Sequence, residues 1–192
     1  MKGSAESLTK KTENQRVRLT KRLLRESLLA CMEQKPIERI SVKEICERAE
    51  LNRSTFYLHY GNEYDLLGEM EEEAIGETRL RLQNVGPDVG TKQHICAFLQ
   101  YIRENGTLFR VLLCQKDRDS FRNRFVKESL LFVKPGIVFT LEEPQRKYVY
   151  AFLLHGSLSV ICTWVESGFD LPPEQVAEMI FDLSDRSLLV YR

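Results

Sequence analysis

Residues Ser41–Tyr60 read SVKEICERAELNRSTFYLHY, and this stretch decides the fold. Val42, Ile45, Cys46 and Ala49 fall at i, i+3, i+4 and i+7, one apolar stripe on a helical period. Ser41 and Glu44 have the spacing of a capping box, which fixes where that helix starts. Asn52 is a good N-cap for a second helix of about eight residues, roughly 12 Å long. Phe56 and Tyr60, at i and i+4, are the residues on it suited to burial, which leaves Arg53, Ser54, Thr55, Tyr57 and His59 outward. That face carries a permanent cation, two hydroxyls, a phenol and an imidazole, and no carboxylate. Such a set donates hydrogen bonds to phosphates and base edges and repels no polyanion. A helix of this size fits a major groove about 12 Å wide. With Ser41 and Lys43 at the start of the preceding helix and Asn52 at the turn, these residues form the expected DNA-contacting set.

The run from Ile45 to Tyr60, followed by Asp65-Leu66-Leu67, resembles the DNA-binding domain of the TetR (tetracycline-repressor-like) family. The likeness covers roughly residues 20 to 67. Farther on, Phe152, Gly156 and Trp164 followed by Gly168 look like the penultimate helix of some family members. Two positions depart from the family pattern. Glu50 stands at the turn where the family usually has Gly, and costs about 1 kcal/mol if that residue needs a positive φ. Glu63 stands where the family usually has a phosphate-contacting Lys.

The whole chain has zero formal net charge, which taken alone argues against a nucleic-acid binder. The distribution argues the other way. Residues 1–60 hold 13 Lys/Arg against 8 Asp/Glu, a net of +5, and residues 61–192 hold 15 against 20, a net of −5. A positive end on a negative body orients a molecule toward DNA. The five cysteines, Cys31, Cys46, Cys96, Cys114 and Cys162, are scattered, form no CxxC and do not suggest a disulfide framework. They read as small core residues, with redox sensing by one of them a minor alternative. No signal-peptide pattern and no stretch of about 18 apolar residues stands out, so no membrane span is expected and a reducing cytoplasm is the expected location.

The expected organisation is all-α: a three-helix helix-turn-helix domain, a linking helix and a five- or six-helix bundle for effector binding and dimerisation. Residues 1–62 form the arm and DNA-binding domain, 63–90 the linking helix and its loop, and 91–192 the body. Residues 1–15 read as a polar, mobile tail whose Lys10-Lys11 pair can reach a phosphate. A helix over about 16–34 follows, with Val17, Leu24, Leu28 and Cys31 as its core stripe and Arg16, Arg18, Lys21, Arg22 and Arg25 toward the DNA backbone. Asn62 caps a helix that runs to about Gln83, and Asn84 to Gly90 is a loop by composition. Nine of the ten Phe residues lie beyond position 90. Helices are expected at about 91–104, around Leu108-Phe109-Leu112, at 117–133 and at 144–167. Pro135-Gly136 and Glu143-Pro144 bound an irregular connection, and Pro172-Pro173 opens a last helix.

The 144–167 helix is apolar nearly all round, which calls for burial on nearly all sides. The resemblance implies that it and the last helix pair with their copies in a homodimer. Val149, Leu153, Gly156, Val160, Val176, Ile180 and Leu183 are the candidate interface, with Gly156 at the closest crossing. The resemblance also implies an effector pocket for a small apolar or aromatic molecule. Phe98, Tyr101, Phe109, Phe121, Phe125, Tyr148, Phe152, His155 and Trp164 are its candidate lining, although aromatics at helical spacing serve equally as plain core. His59, His94 and His155 lack metal-ligand spacing, and GxSxG, phosphate-loop and paired-carboxylate patterns are absent, so neither a metal, a cofactor nor an enzyme is expected. The expected function is a repressor that binds a palindromic operator as a dimer and is released by an effector. The alternative is a DNA-bound scaffold or co-regulator whose bundle binds a protein.

Overall fold

The computed structural model describes residues 3–84, 91–114, 119–130 and 142–189, which are mostly helix and include no strand. The chain forms two compact units, Met1–Glu72 and Glu73–Arg192.

In the first unit α1 spans Gly3–Met32, followed by a 3-10 turn at Ile37–Arg39, α2 at Val42–Arg48 and α3 at Arg53–Tyr57. The helix α4, Glu63–Asn84, begins here and ends in the second unit. The expected polar tail is therefore the first four turns of α1. Ala5, Glu6, Lys10, Lys11, Glu13 and Gln15 are all good helix formers, and no proline interrupts them. The unit closes on Leu24, Leu28, Ile37, Ile45, Phe56 and Leu66, all essentially buried. The start of α2 is capped by the Ser41 hydroxyl, which accepts from Glu44 N–H at 3.3 Å. The Glu44 carboxylate turns away to Lys35 at 2.7 Å, so the box is made from one side only.

Between α2 and α3 Glu50 has φ 55°. Leu51 N–H bonds to the Cys46 carbonyl at 2.9 Å and Glu50 N–H to the Glu47 carbonyl at 3.3 Å, a Schellman ending with a left-handed residue normally given to glycine. The next start, at α4, is a reciprocal cap: Asp65 N–H donates to Asn62 Oδ1 at 3.0 Å and Gly61 N–H to Asp65 Oδ2 at 2.9 Å.

Lys21 and Arg25 of α1, expected toward DNA, instead converge on Glu69 of α4, Lys21 at 2.8 Å. Tyr60 adds its hydroxyl as a donor to Glu69 at 3.2 Å. Burial pushes the Glu69 carboxyl up, but hydrogen bonds and charge from Lys21 and Arg25 outweigh it and hold it below its ordinary range. The hydrogen bond to Glu69 holds Lys21 above its ordinary value against its own desolvation.

The second unit contains α5 (Thr91–Glu104), α6 (Gly106–Phe109), a π-helical turn (Arg110–Cys114), α7 (Asp119–Leu130), α8 (Gln145–Glu166) and α9 (Pro173–Leu189). Asn84, expected to open the loop to Gly90, is instead the last residue of α4, and the rest of that loop and the connection at Pro135-Gly136 lie outside the described residues. Helix α5 packs on α9, and the π turn packs on α6, α7 and α8. Leu99, Ile102, Phe109, Val111 to Leu113, Phe125, Val165 and Ala177 are fully buried at the centre. At the end of α8, Gly168 and Phe169 both take left-handed φ, 74° and 63°. Phe169 is held there by an edge-on contact with Trp164, ring centroids 4.9 Å apart. The same ring covers Gly106, where a Cβ would stand 2.7 Å from Phe169 Cε2. Contrary to the sequence expectation, α8 is by length and composition apolar enough to cross a membrane.

Two outcomes test this account. Glu50→Gly relieves the left-handed strain and raises the stability of the first unit by up to about 1 kcal/mol in a denaturant titration. Glu69→Gln leaves two cations facing a neutral amide and lowers that stability by about 1–2 kcal/mol near neutral pH, between the value of an exposed pair and that of a buried pair broken on one side. Because the folded carboxyl is depressed, its contribution is present above the unfolded value near 4.5 and fades as pH falls through the lower folded value. Acid titration of the melting temperature should therefore bring wild type and variant together below that window.

Candidate nucleic-acid interface

Helix α3 has five residues, shorter than the eight expected, and Leu58 is its C-cap. Phe56 is wholly buried and Tyr60 nearly so, their rings 5.6 Å apart. Phe56 also meets Tyr57 edge-on at 5.6 Å, which holds the Tyr57 ring upright while half of it stays exposed. Asn52 was expected to cap α3 through its side chain. Its backbone carbonyl does accept from Thr55 N–H at 2.9 Å and Phe56 N–H at 3.3 Å, but the side chain makes no cap and is exposed.

The expected contact set is brought together on this end. Ser41, Lys43, Asn52, Arg53, Ser54 and Tyr57 are exposed, and Thr55 and His59 are half-buried. Lys43 faces Glu47 at 3.7 Å with both side chains about two-thirds exposed, a contact worth little against a phosphate. The surface left is donor-rich, and every member lies on α2, α3 or their flanks. Arg16, Arg18 and Arg22 of α1 are exposed as well, Arg22 only 3.7 Å from Glu26.

Sequence reasoning missed Leu58, 79% exposed where α3 gives way to a turn. An apolar group beside outward donors can meet a thymine methyl. Its signal is the shortness of α3: past Tyr57 the helical period no longer says which way a side chain points.

In the body the aromatic candidates divide. Tyr101, Phe109, Phe121 and Phe125 are buried, and Phe98 is half-buried. Their rings pack on one another, with centroids 5.5 Å apart for Phe98–Phe125, 5.2 Å for Tyr101–Phe109, and 5.3 Å for both Phe109–Phe125 and Phe121–Phe125. Burial, with the Glu77 carboxylate nearby, pushes the Tyr101 phenol up to about 12, against the Arg81 guanidinium 4.7 Å over its ring. Tyr148, Phe152 and His155 are not in this cluster. They lie along an exposed face of α8, Tyr148 and Phe152 about two-thirds exposed. Trp164 is buried away from it, its indole N–H donating to the Leu171 carbonyl at 2.8 Å. With Val160, Thr163, Val176 and Met179 it lines an open groove of about 270 Å³ between α8 and α9.

The dimer candidates divide too. Gly156 and Leu183 are exposed, and Val149, Leu153 and Val160 are half-buried. Val176 and Ile180 are buried within the chain, on a helix that packs against α5, so they belong to the intrachain core. Around an all-apolar helix pair the period gives no direction, and here the exposed face runs through Tyr148, Phe152, His155 and Gly156 instead.

Residues 24–70 match the family model described as bacterial regulatory proteins, tetR family, and residues 91–186 match a transcriptional regulator C-terminal region. An uncharacterized HTH-type transcriptional regulator YxbF of Bacillus subtilis (strain 168) is 20% identical over 167 residues. That match takes in 83% of this chain but 43% of the relative, so the chain spans less than half of that protein's length. Among solved structures, a TetR transcriptional regulator from Streptococcus agalactiae 2603V superposes with a TM-score of 0.67 at 21% identity, over 90% of this chain and 97% of that one. The transcriptional regulator FadR from Bacillus subtilis, in complex with stearoyl-CoA, gives 0.62 at 14% identity, over 84% and 96%. The N-terminal match falls on the helix-turn-helix, the C-terminal match takes in half of the chain, and the protein belongs to the TetR family of bacterial regulators.

Proposed function

We propose that the chain is a sequence-specific DNA-binding transcriptional regulator of the cytoplasm. In this reading it binds a palindromic operator as a homodimer and acts as a repressor released by a small apolar or aromatic effector. The observation that carries DNA binding is the donor-rich, carboxylate-free face of α3, held outward because Phe56 and Tyr60 are anchored behind it. Dimerisation is supported by the exposed apolar face of α8, with Met179 and Leu183 of α9 also exposed. Covering that face with its copy accounts for a helix apolar enough for a membrane without invoking one. A dimer reads two half-sites about 34–36 Å apart, which a single α3 cannot do.

For the effector, the FadR neighbour was solved with an acyl-CoA, which sets a class to try. The packed rings of Tyr101, Phe109, Phe121 and Phe125 favour a second reading of the signal. An effector entering there has to part rings already in contact, whereas a protein partner on the surface of the body does not. Calorimetric titration with acyl-CoA separates the two: heat together with release of operator DNA supports the effector, and silence favours the co-regulator.

Selection of bound DNA from a random library should return a two-fold motif. Titration of that site should give log K against log salt a slope near −7 if about eight phosphates are neutralised. A flat salt response or a motif without a dyad sinks the proposal. Tyr57→Ala should weaken operator binding by about 1–3 kcal/mol while leaving the melting temperature in place. Phe56→Ala should instead unfold the first unit, since truncating a buried Phe costs about 3–5 kcal/mol.

Gly156 gives a clean test of the dimer. Among the described residues, outside the neighbouring turns of its own helix, nothing lies within 4 Å of a Cβ built there, so the described chain leaves room for a side chain at position 156. Across a close dimer crossing the leucine of Gly156→Leu costs about 1–3 kcal/mol per copy. Sedimentation should show the variant dissociating at concentrations where wild type is dimeric. A monomeric wild type at micromolar concentration would remove the dimer reading altogether.

A further inference from the structure

We propose that Cys114 and Cys162 form a dithiol site that hydroperoxides oxidise to an intramolecular disulfide, giving the helical body a redox input. Cys114 is the last residue of the π turn and Cys162 sits on α8, the helix against which that turn packs. The two thiols are close enough to influence each other's ionisation. Cys162 Sγ lies 3.6 Å from the Leu113 carbonyl oxygen, and Cys114 Sγ lies 3.9 Å from that of Phe109. Arg122 Nε donates to the same Leu113 carbonyl at 2.9 Å, which places a guanidinium beside the pair. Both thiols are half-buried, so the site is open to a small oxidant.

The other cysteines lack this combination. Cys31 and Cys46 are each 2% exposed, and burial pushes their thiols up. Cys96 stands 3.8 Å from Glu174 Oε1, and burial together with that carboxylate pushes it up as well. At the pair, a thiolate on one sulfur disfavours a second on its neighbour, so the two do not ionise together. Arg122 favours a thiolate at either position and Glu166 opposes it.

The Arg122 guanidinium, bonded to the carbonyl that Cys162 Sγ approaches, makes Cys162 the first to react. The Cys162 thiolate attacks the hydroperoxide, an S–O bond forms, the O–O bond breaks and the leaving oxygen departs as water or alcohol after taking a proton. Sulfur is oxidised by two electrons and the peroxide reduced by two. Cys114 then attacks the sulfenic sulfur, the S–S bond forms, the S–O bond breaks, and the hydroxyl leaves as water with the Cys114 proton. Cellular thiols reverse the bond, as a sensor in a reducing compartment requires.

The test uses the full chain, a small excess of hydrogen peroxide, alkylation of remaining thiols and a non-reducing peptide map. The expected result is a Cys114–Cys162 cross-linked peptide lighter by two hydrogens, a fall in free thiols from five to three per chain, and recovery with dithiothreitol. Cys114→Ser should stop at a sulfenic acid on Cys162 that dimedone traps, and Cys162→Ser should prevent the reaction. A folded wild-type protein that yields no such peptide, or one linking other cysteines, overturns the proposal, whatever the folding of the variants.

Discussion

A five-residue helix cannot hold itself together in water, because nucleating a helix costs more than one turn returns. Everything about the first unit follows from that constraint on α3. Phe56 and Tyr60 pin it to the core, and the Tyr60 hydroxyl continues to Glu69, where Lys21 and Arg25 of α1 also meet. Helix α1 and the turn that follows α3 are thus both tied to one carboxylate on α4. The arrangement leaves the opposite face of α3 with no structural duty, which is what lets it carry donors for a ligand.

Much of this was legible in sequence. The stripe of α2, the Ser41 and Asn62 caps, and the burial of Phe56 and Tyr60 each follow from local spacing, and local spacing is what a helix preserves. The left-handed Glu50 was legible only as a condition, since sequence alone does not print φ. The Glu69 cluster was not legible. Lys21 and Arg25 lie 48 and 44 residues from their partner, and a cation on an exposed-looking helix reads the same whether it meets DNA or a distant glutamate.

The body shows a different kind of failure. On α5 the apolar residues Ile95, Phe98, Leu99 and Ile102 share one helical stripe, and Ile95, Leu99 and Ile102 are buried. On α8 apolar residues surround the axis, so Tyr148, Phe152 and His155 read as lining while the fold leaves them outside. Val176 and Ile180 read as interface, yet both are buried within the chain. Periodicity locates a face when there is one polar side to contrast with it. When there is none, only the tertiary arrangement decides, and the half-open groove beside Trp164 is part of the same outcome.

The seat of Phe169 on Gly106 has a consequence for how such chains diverge. A methyl at position 106 collides with a ring that itself sits in a left-handed turn, so residue 106 cannot grow unless residue 169 yields. Relatives that carry a side chain at the first position should carry a smaller one at the second, and the pair should covary although 63 positions separate them in sequence. Such a correlation would record the contact between α6 and the α8–α9 turn in the history of the family, where no single sequence displays it.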